Sequence, residues 1–316
     1  MKLRKAFITG ISSTYLKKKE ISFLKKYKPW GVILFSRNIS NIKQASRLTR
    51  QIRSCFKDNK YPILVDEEGG KVSRLNKIID TEIFSSKYFG NLFKINKKNF
   101  LQRYKVYINN TSQILNTIGI NMNTVPVLDI VRGNKNKVIG NRSFSDDVNT
   151  VSKLGDYCID YYSKNRIGTV IKHIPGHGLP SKDSHSSVPV VNKNKKFLNK
   201  FDFKAFKKKK CLFAMTAHII YSHYDKINPA THSKTIIKEA IRKRIKFKGI
   251  IMSDDISMKA LKYDLKKNVI KSLKAGCNLI LHCNGKMKEM EIVAKTAPKV
   301  DSFILKKTSQ FYKFLI

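Results

Sequence analysis

The chain has 316 residues, 41% of them apolar, enough for a full-sized core and too many for a disordered chain. It carries 64 lysines and arginines against 22 aspartates and glutamates, a net charge of +42, and no apolar run approaches the ~18–20 residues of a bilayer-spanning helix. A disordered protein and a transmembrane-helix protein are therefore excluded, and the length suits two ordinary domains or one α/β barrel of about 250 residues or more.

The N-terminus, Met1 to Ser12, is only superficially like a signal peptide. Its apolar stretch is short, contains Thr9 and Gly10, and has no small-residue cleavage site before the charged run Lys17-Lys-Lys-Glu20. It reads as a first strand over 6–9. Further strands are predicted over 31–35, 63–65, 121–125, 168–171, 212–216, 249–252 and 278–281. Helices are predicted between them over 39–56, 97–118, 148–165, 234–245, 265–275 and 285–295. Eight strands alternating with helices predict parallel βα units. The expected fold is α/β: a (β/α)8 TIM-type barrel, with residues 1–316 forming a single domain.

Other architectures fit less well. Thr9-Gly10-Ile11-Ser12-Ser13-Thr14 lacks the G-x-G-x-x-G spacing of a dinucleotide fold, and no Walker lysine motif is present. The five cysteines (Cys55, Cys158, Cys211, Cys277, Cys283) are scattered and contain no Cys-x-x-Cys pair, so neither a zinc knuckle nor a disulfide framework is expected. The lysines run along the whole chain, in helix-like segments such as 43–57 and 204–210, without a helix-turn-helix, zinc-finger or RNP pattern. They predict a solvated basic surface rather than a specific nucleic-acid partner.

The scarce acids are more informative. Five of the 22 fall in two tight groups, Asp66-Glu67-Glu68 and Asp254-Asp255, each directly after an apolar run. In a βα barrel, chemistry collects where strands end. Asp66 follows the third predicted strand, Lys172-His173 the fifth, His218 the sixth, Asp254-Asp255 the seventh and His282 the eighth. The loop from Lys172 to His185 holds Pro175, Gly176, Gly178 and Pro180, which favour irregular backbone. Asp183 and His185 on that loop suit proton transfer, although Asp183 could instead tie the loop through an Asx turn. Asp254 could likewise be a helix N-cap. Pro175-Gly176 between His173 and His177 opposes the helical stacking that a zinc pair needs, so no metal site is expected.

Seven segments carry a family resemblance, in order along the chain: Pro29-Trp-Gly-Val-Ile-Leu-Phe-Ser-Arg-Asn-Ile39, Val65-Asp-Glu-Glu-Gly-Gly-Lys-Val-Ser-Arg-Leu75, Val125-Pro-Val-Leu-Asp-Ile130, Lys172-His-Ile-Pro-Gly-His-Gly178, Asp183-Ser-His185, Met215-Thr-Ala-His218 and Met252-Ser-Asp-Asp-Ile-Ser-Met258. Together they resemble the β-N-acetylhexosaminidases of glycoside hydrolase family 3, specifically the bacterial cytoplasmic branch of peptidoglycan recycling.

The resemblance implies a retaining enzyme with Asp254 as nucleophile. It implies His185 as acid/base, oriented by Asp183, in place of the second carboxylate of most glycosidases. It places sugar binding on Asp66, Arg74, Arg142, Lys172 and His173, with Glu67, Glu68, Asp129, His218 and Asp255 in supporting positions. The implied substrate is a small glycan, GlcNAc-1,6-anhydro-MurNAc or its peptide-linked forms. The enzyme would be a cytoplasmic monomer without metal or organic cofactor and without membrane or specific nucleic-acid partners. Two other readings remain at this stage: a phosphorylase using phosphate as acceptor at the same site, and an inactive basic barrel that binds polyanions. Lys71, Ile174 and Leu179-Pro180 depart from the family's common residues but remove no catalytic group.

Overall fold

Residues 3–132, 138–179 and 188–316 are described by a computed structural model. The strands form where apolar runs are covered on both faces: all six residues of Pro29–Leu34 are buried, and so are all seven of Gly168–Ile174, polar only at Thr169, Lys172 and His173. Continuous apolar runs of this kind belong to parallel strands covered on both sides. In chain order the strands are β1 (Lys5–Gly10), β2 (Pro29–Leu34), β3 (Ile63–Val65), β4 (Met122–Asn123), β5 (Gly168–Ile174), β6 (Val190–Val191), β7 (Phe213–Thr216), β8 (Ile220–Tyr221), β9 (Ile250–Asp255) and β10 (Leu279–His282).

Eight of them close a parallel barrel in the order β1-β10-β9-β7-β5-β4-β3-β2. These are the eight predicted strands, and the fold is the expected (β/α)8 barrel. The two remaining strands, β6 and β8, pair with each other outside it. β4 is shorter than its predicted 121–125: past Thr124 the Val125 N–H turns back to the Asn123 carbonyl instead of bonding to a neighbouring strand. Asn123 compensates with its side chain, accepting the Glu67 N–H at 3.0 Å and donating to the Glu67 carbonyl at 2.8 Å.

Side chains alternate about the strands. Ala6, Ile8, Leu64, Met122, Val170, Phe213, Ile250 and Leu279 fill the barrel interior, whereas Phe7, Ile63, Ile171, Ala214, Ile251 and Ile280 face the helices. The helices with predicted counterparts are Ile42–Ser54, Lys97–Thr117, Val148–Lys164, Ile236–Ile245 (wound with π-type bonds), Leu265–Ala275 and Met287–Thr296. The segment predicted as helix-like over 204–210 is instead the end of a short 3-10 turn, Asp202–Phe206, followed by irregular chain.

The C-terminal helix Ser302–Phe314 was not among the predicted helices, and it closes the bottom of the barrel. Its Phe311 packs edge-on against Phe213 at 5.5 Å, and Thr308 accepts the Trp30 indole N–H at 2.8 Å. The packed floor leaves the opposite, C-terminal mouth of the strands for a site. No helix among the described residues is long and apolar enough to cross a membrane.

Candidate active site

A cavity of about 330 Å³ opens at that mouth, at the small end of the range for small-molecule sites. Asp66, Arg74, Arg142, Lys172, His173 and Asp254 all line it. These are six of the eight residues expected from the sequence. The other two, Asp183 and His185, lie outside the described residues.

The strands reach further toward the mouth than hydropathy indicates. Lys172 and His173 lie within β5, and Asp254 and Asp255 are the last residues of β9. At this level the side chains are ionisable rather than apolar, so the apolar signal stops before the strand does.

Lys172, though only 1% exposed, bonds to Asp66 and lies 2.5 Å from Glu68. Arg74 approaches the other Asp66 oxygen at 3.2 Å, and Thr124 donates to Asp66 at 2.5 Å. Arg142 grips Glu68 with two nitrogens, at 2.7 and 2.8 Å. Burial pushes the Asp66 carboxyl up, but Lys172 and Arg74 outweigh it and hold the group far below the usual carboxylate range. Glu68 is likewise lowered, with Arg142 and Lys172 overcoming its burial.

The supporting residues have separable jobs. Glu67 accepts the backbone N–H groups of Arg74 and Leu75 at 2.5 and 3.0 Å, shaping the turn that presents Arg74. Asp129 accepts the His177 N–H at 2.6 Å and lies 2.6 Å from His173 Nδ1, fixing the end of β5. Gly178 permits the next turn, since a Cβ there would lie 1.7 Å from the Ile130 carbonyl.

Asp254 reaches the cavity through a break in register. Leu279 pairs with Met252 but Leu281 pairs with Asp255, so β9 spends three residues where β10 spends two. Such a bulge re-aims a side chain. The sequence accommodates it with Ser253, whose Oγ accepts the Leu281 N–H at 2.9 Å. Asp254 therefore belongs to a strand and caps no helix. Burial would raise its carboxyl, but His218, then His173, the Asp255 N–H and Lys172 together lower it, so it is ionised at neutral pH.

Two strand-end histidines do not line the cavity. His218 is buried behind Asp255, its Nε2 donating to the Asp255 carbonyl at 3.0 Å. His282 is buried on the helix side, 3.1 Å from Glu289. The sequence reading missed the apolar wall, which includes Phe35, Val72, Met215 and Met258. Phe35 was within reach of it, as the residue directly after β2. The His173 and His177 rings sit 5.5 Å apart in an edge-on arrangement. Among the described residues no three His, Cys, Asp or Glu side chains are grouped to hold a metal ion.

The profile of the glycosyl hydrolase family 3 N terminal domain matches residues 8–307. The chain belongs to glycosyl hydrolase family 3. It is therefore a glycoside hydrolase, and the cavity of cations, carboxylates and one apolar wall at the strand mouth is its candidate site. Among its relatives, the beta-hexosaminidase of Hydrogenovibrio crunogenus is 34% identical over 270 residues, covering 84% of this chain and 74% of that protein. The beta-hexosaminidase of Haemophilus influenzae is 32% identical over 285 residues, covering 88% and 79%. The structure of NagZ from Neisseria gonorrhoeae in complex with N-trifluoroacetyl-D-glucosamine superimposes with a TM-score of 0.84 at 28% identity, covering 98% of this chain and 90% of that one.

Proposed function

We propose that the protein is a retaining exo-β-N-acetylglucosaminidase that removes GlcNAc from GlcNAc-1,6-anhydro-MurNAc and its peptide-linked forms. It would act as a cytoplasmic monomer in peptidoglycan recycling, with no metal or organic cofactor. The observation that carries the reading is the half-buried, ionised Asp254 on the bulge of β9, facing a cavity whose rim holds Asp66, Arg74, Arg142, Lys172 and His173. The relatives named beta-hexosaminidase and the neighbour bound to an acylated glucosamine support the choice of sugar.

Carboxylate and cationic groups around the rim suit the hydroxyls and acetamide of one GlcNAc ring, and the apolar wall suits its C–H face. Fixing the ring aligns C1 with Asp254. The Asp254 carboxylate attacks C1, the C1–O bond to the leaving sugar breaks, and His185 gives that oxygen a proton. His185 then takes a proton from water, whose oxygen attacks C1 and releases Asp254. Asp183 orients the imidazole. A histidine suits both steps, because its ordinary pKa near 6.5 lies close to the working pH.

The test is hydrolysis of aryl β-N-acetylglucosaminides and of the natural disaccharide by wild type, Asp254→Ala and His185→Ala. Wild type is expected to be active, and Asp254→Ala to lose about four orders of magnitude or more. His185→Ala is expected to lose far less on a nitrophenyl leaving group than on the disaccharide. In phosphate buffer the product is expected to be free GlcNAc; GlcNAc-1-phosphate would replace hydrolysis by phosphorolysis. A wild type inactive with and without phosphate overturns the reading.

A further inference from the structure

We infer that His218 is a positioning residue that holds the Asp254 carboxylate in its attacking orientation through the main chain of Asp255. The inference rests on the proposed role of Asp254 as nucleophile. Asp254 Oδ1 accepts the Asp255 N–H at 2.7 Å. Among the described residues Oδ2 has no hydrogen-bond partner, so Oδ2 is the oxygen available to attack. What directs it is therefore the placement of Asp255.

Asp255 is held on two further sides. Its Oδ1 accepts from Ser257 N at 3.0 Å, Ser257 Oγ at 2.9 Å and Cys283 N at 3.4 Å. Its carbonyl accepts from Met258 N at 3.2 Å and from His218 Nε2 at 3.0 Å. The last paired residues of β7 and β9 are Met215 and Met252. Beyond them, across the bulge, it is the His218 side chain that reaches β9 from the segment following β7.

The ring is set for that task. A carbonyl oxygen only accepts, so Nε2 must carry the hydrogen. Nδ1 lies 2.7 Å from Thr231 Oγ1, which lies 2.8 Å from Thr216 Oγ1. With hydrogen on Nε2, the Thr231 hydroxyl donates to Nδ1 and the Thr216 hydroxyl donates to Thr231. Each link then has a donor and an acceptor, and His218, 1% exposed, is fixed on both ring nitrogens.

The experiment compares wild type, His218→Ala and His218→Gln on aryl β-N-acetylglucosaminides with good and poor leaving groups, with a thermal melt of each variant. Among the described residues the groups facing Asp254 are His218 from beyond β7, Lys172 and His173 from β5, Asp255 on its own strand, and Cys283 from beyond β10. His218→Ala is expected to lose about 100-fold in kcat, as for a misplaced reacting group, with KM within about threefold. The loss is expected to be equal for good and poor leaving groups, unlike a defect in the acid. The acid limb of kcat/KM is expected to move to higher pH, because the Asp255 N–H, which helps hold the Asp254 carboxyl down, shifts when the Asp255 carbonyl loses its support. His218→Gln, whose amide can donate to the same carbonyl, is expected to return within about tenfold of wild type.

A folded His218→Ala with wild-type kcat overturns the inference, as does a loss confined to poor leaving groups. If His218→Ala does not fold, Thr231→Val removes the support of Nδ1 and leaves His218 in place. A smaller loss that is again independent of leaving group supports the role, and wild-type kcat overturns it. A dead Asp254→Ala beside an unimpaired His218→Ala sinks this inference alone. An active Asp254→Ala sinks the proposed nucleophile and this inference together.

Discussion

Asp129 Oδ2 lies 2.6 Å from His173 Nδ1, and the same carboxylate accepts the His177 N–H at 2.6 Å. One buried acid thus anchors a side chain of the cavity wall and the backbone that leaves it. Burial pushes its carboxyl up, but His173 holds it below the usual range. Asp129→Asn keeps the shape and removes the charge and one acceptor. The expected cost is about 2–4 kcal/mol of stability, from denaturant melts. A loss of about 100-fold in kcat/KM is expected with it, because Lys172 and His173 move together.

Ser253 is the residue that lets the bulge exist, since its hydroxyl takes the Leu281 N–H that the ladder leaves over. Ser253→Ala leaves that buried donor unpaired. The expected cost is about 1–3 kcal/mol, read as a lower denaturant midpoint at unchanged slope.

The buried and half-buried acids divide into two groups with opposite pH behaviour. Asp66, Glu68, Asp129 and Asp254 are all lowered by neighbouring cations, histidines and hydrogen bonds that outweigh their burial. As pH falls below about 4, the unfolded chain takes up these protons before the folded one does. Their contribution is therefore complete at neutral pH and is lost on acidification, and Tm is expected to fall steeply there.

Asp202 goes the other way. It packs against the loop at Gly176, its carboxyl oxygens have no hydrogen-bond partner among the described residues, and burial pushes its pKa up to about 7. Between about pH 4 and 7 the folded chain keeps this proton while the unfolded chain has lost it, so Asp202 destabilises increasingly as pH rises through that window. Asp202→Asn is expected to raise Tm at pH 8 and to leave it nearly unchanged at pH 4. Equal shifts at both pH values would rule out the titration as the cause.

The net charge of +42 sets an expectation for encounter with an acidic muropeptide. Raising ionic strength from about 0.01 to about 0.15 M shortens the screening length from about 30 to about 8 Å. The expected result is a several-fold fall in kcat/KM for the muropeptide and little change for a neutral aryl glucosaminide. A muropeptide kcat/KM that does not fall with salt would separate the charge from catalysis.

The eight barrel strands were legible in the sequence because a parallel strand buried on both faces must be a short, nearly unbroken apolar run, and this chain has eight of them between helix-length polar stretches. The strand-end positions of Asp66, Lys172, His173 and Asp254 were legible for the same reason: each stands where such a run stops. The tertiary structure decided which strand-end groups share the cavity. His218 follows β7 and Asp254 stands near the end of the neighbouring β9, yet one is buried behind Asp255 and the other lines the cavity, because a one-residue bulge at Ser253–Asp254 re-aims the second. Phe311 closes the barrel floor nearly a hundred residues beyond Phe213, the strand residue it packs against. Side-chain direction follows from long-range strand register and packing, which are set between segments distant in sequence rather than within any one of them.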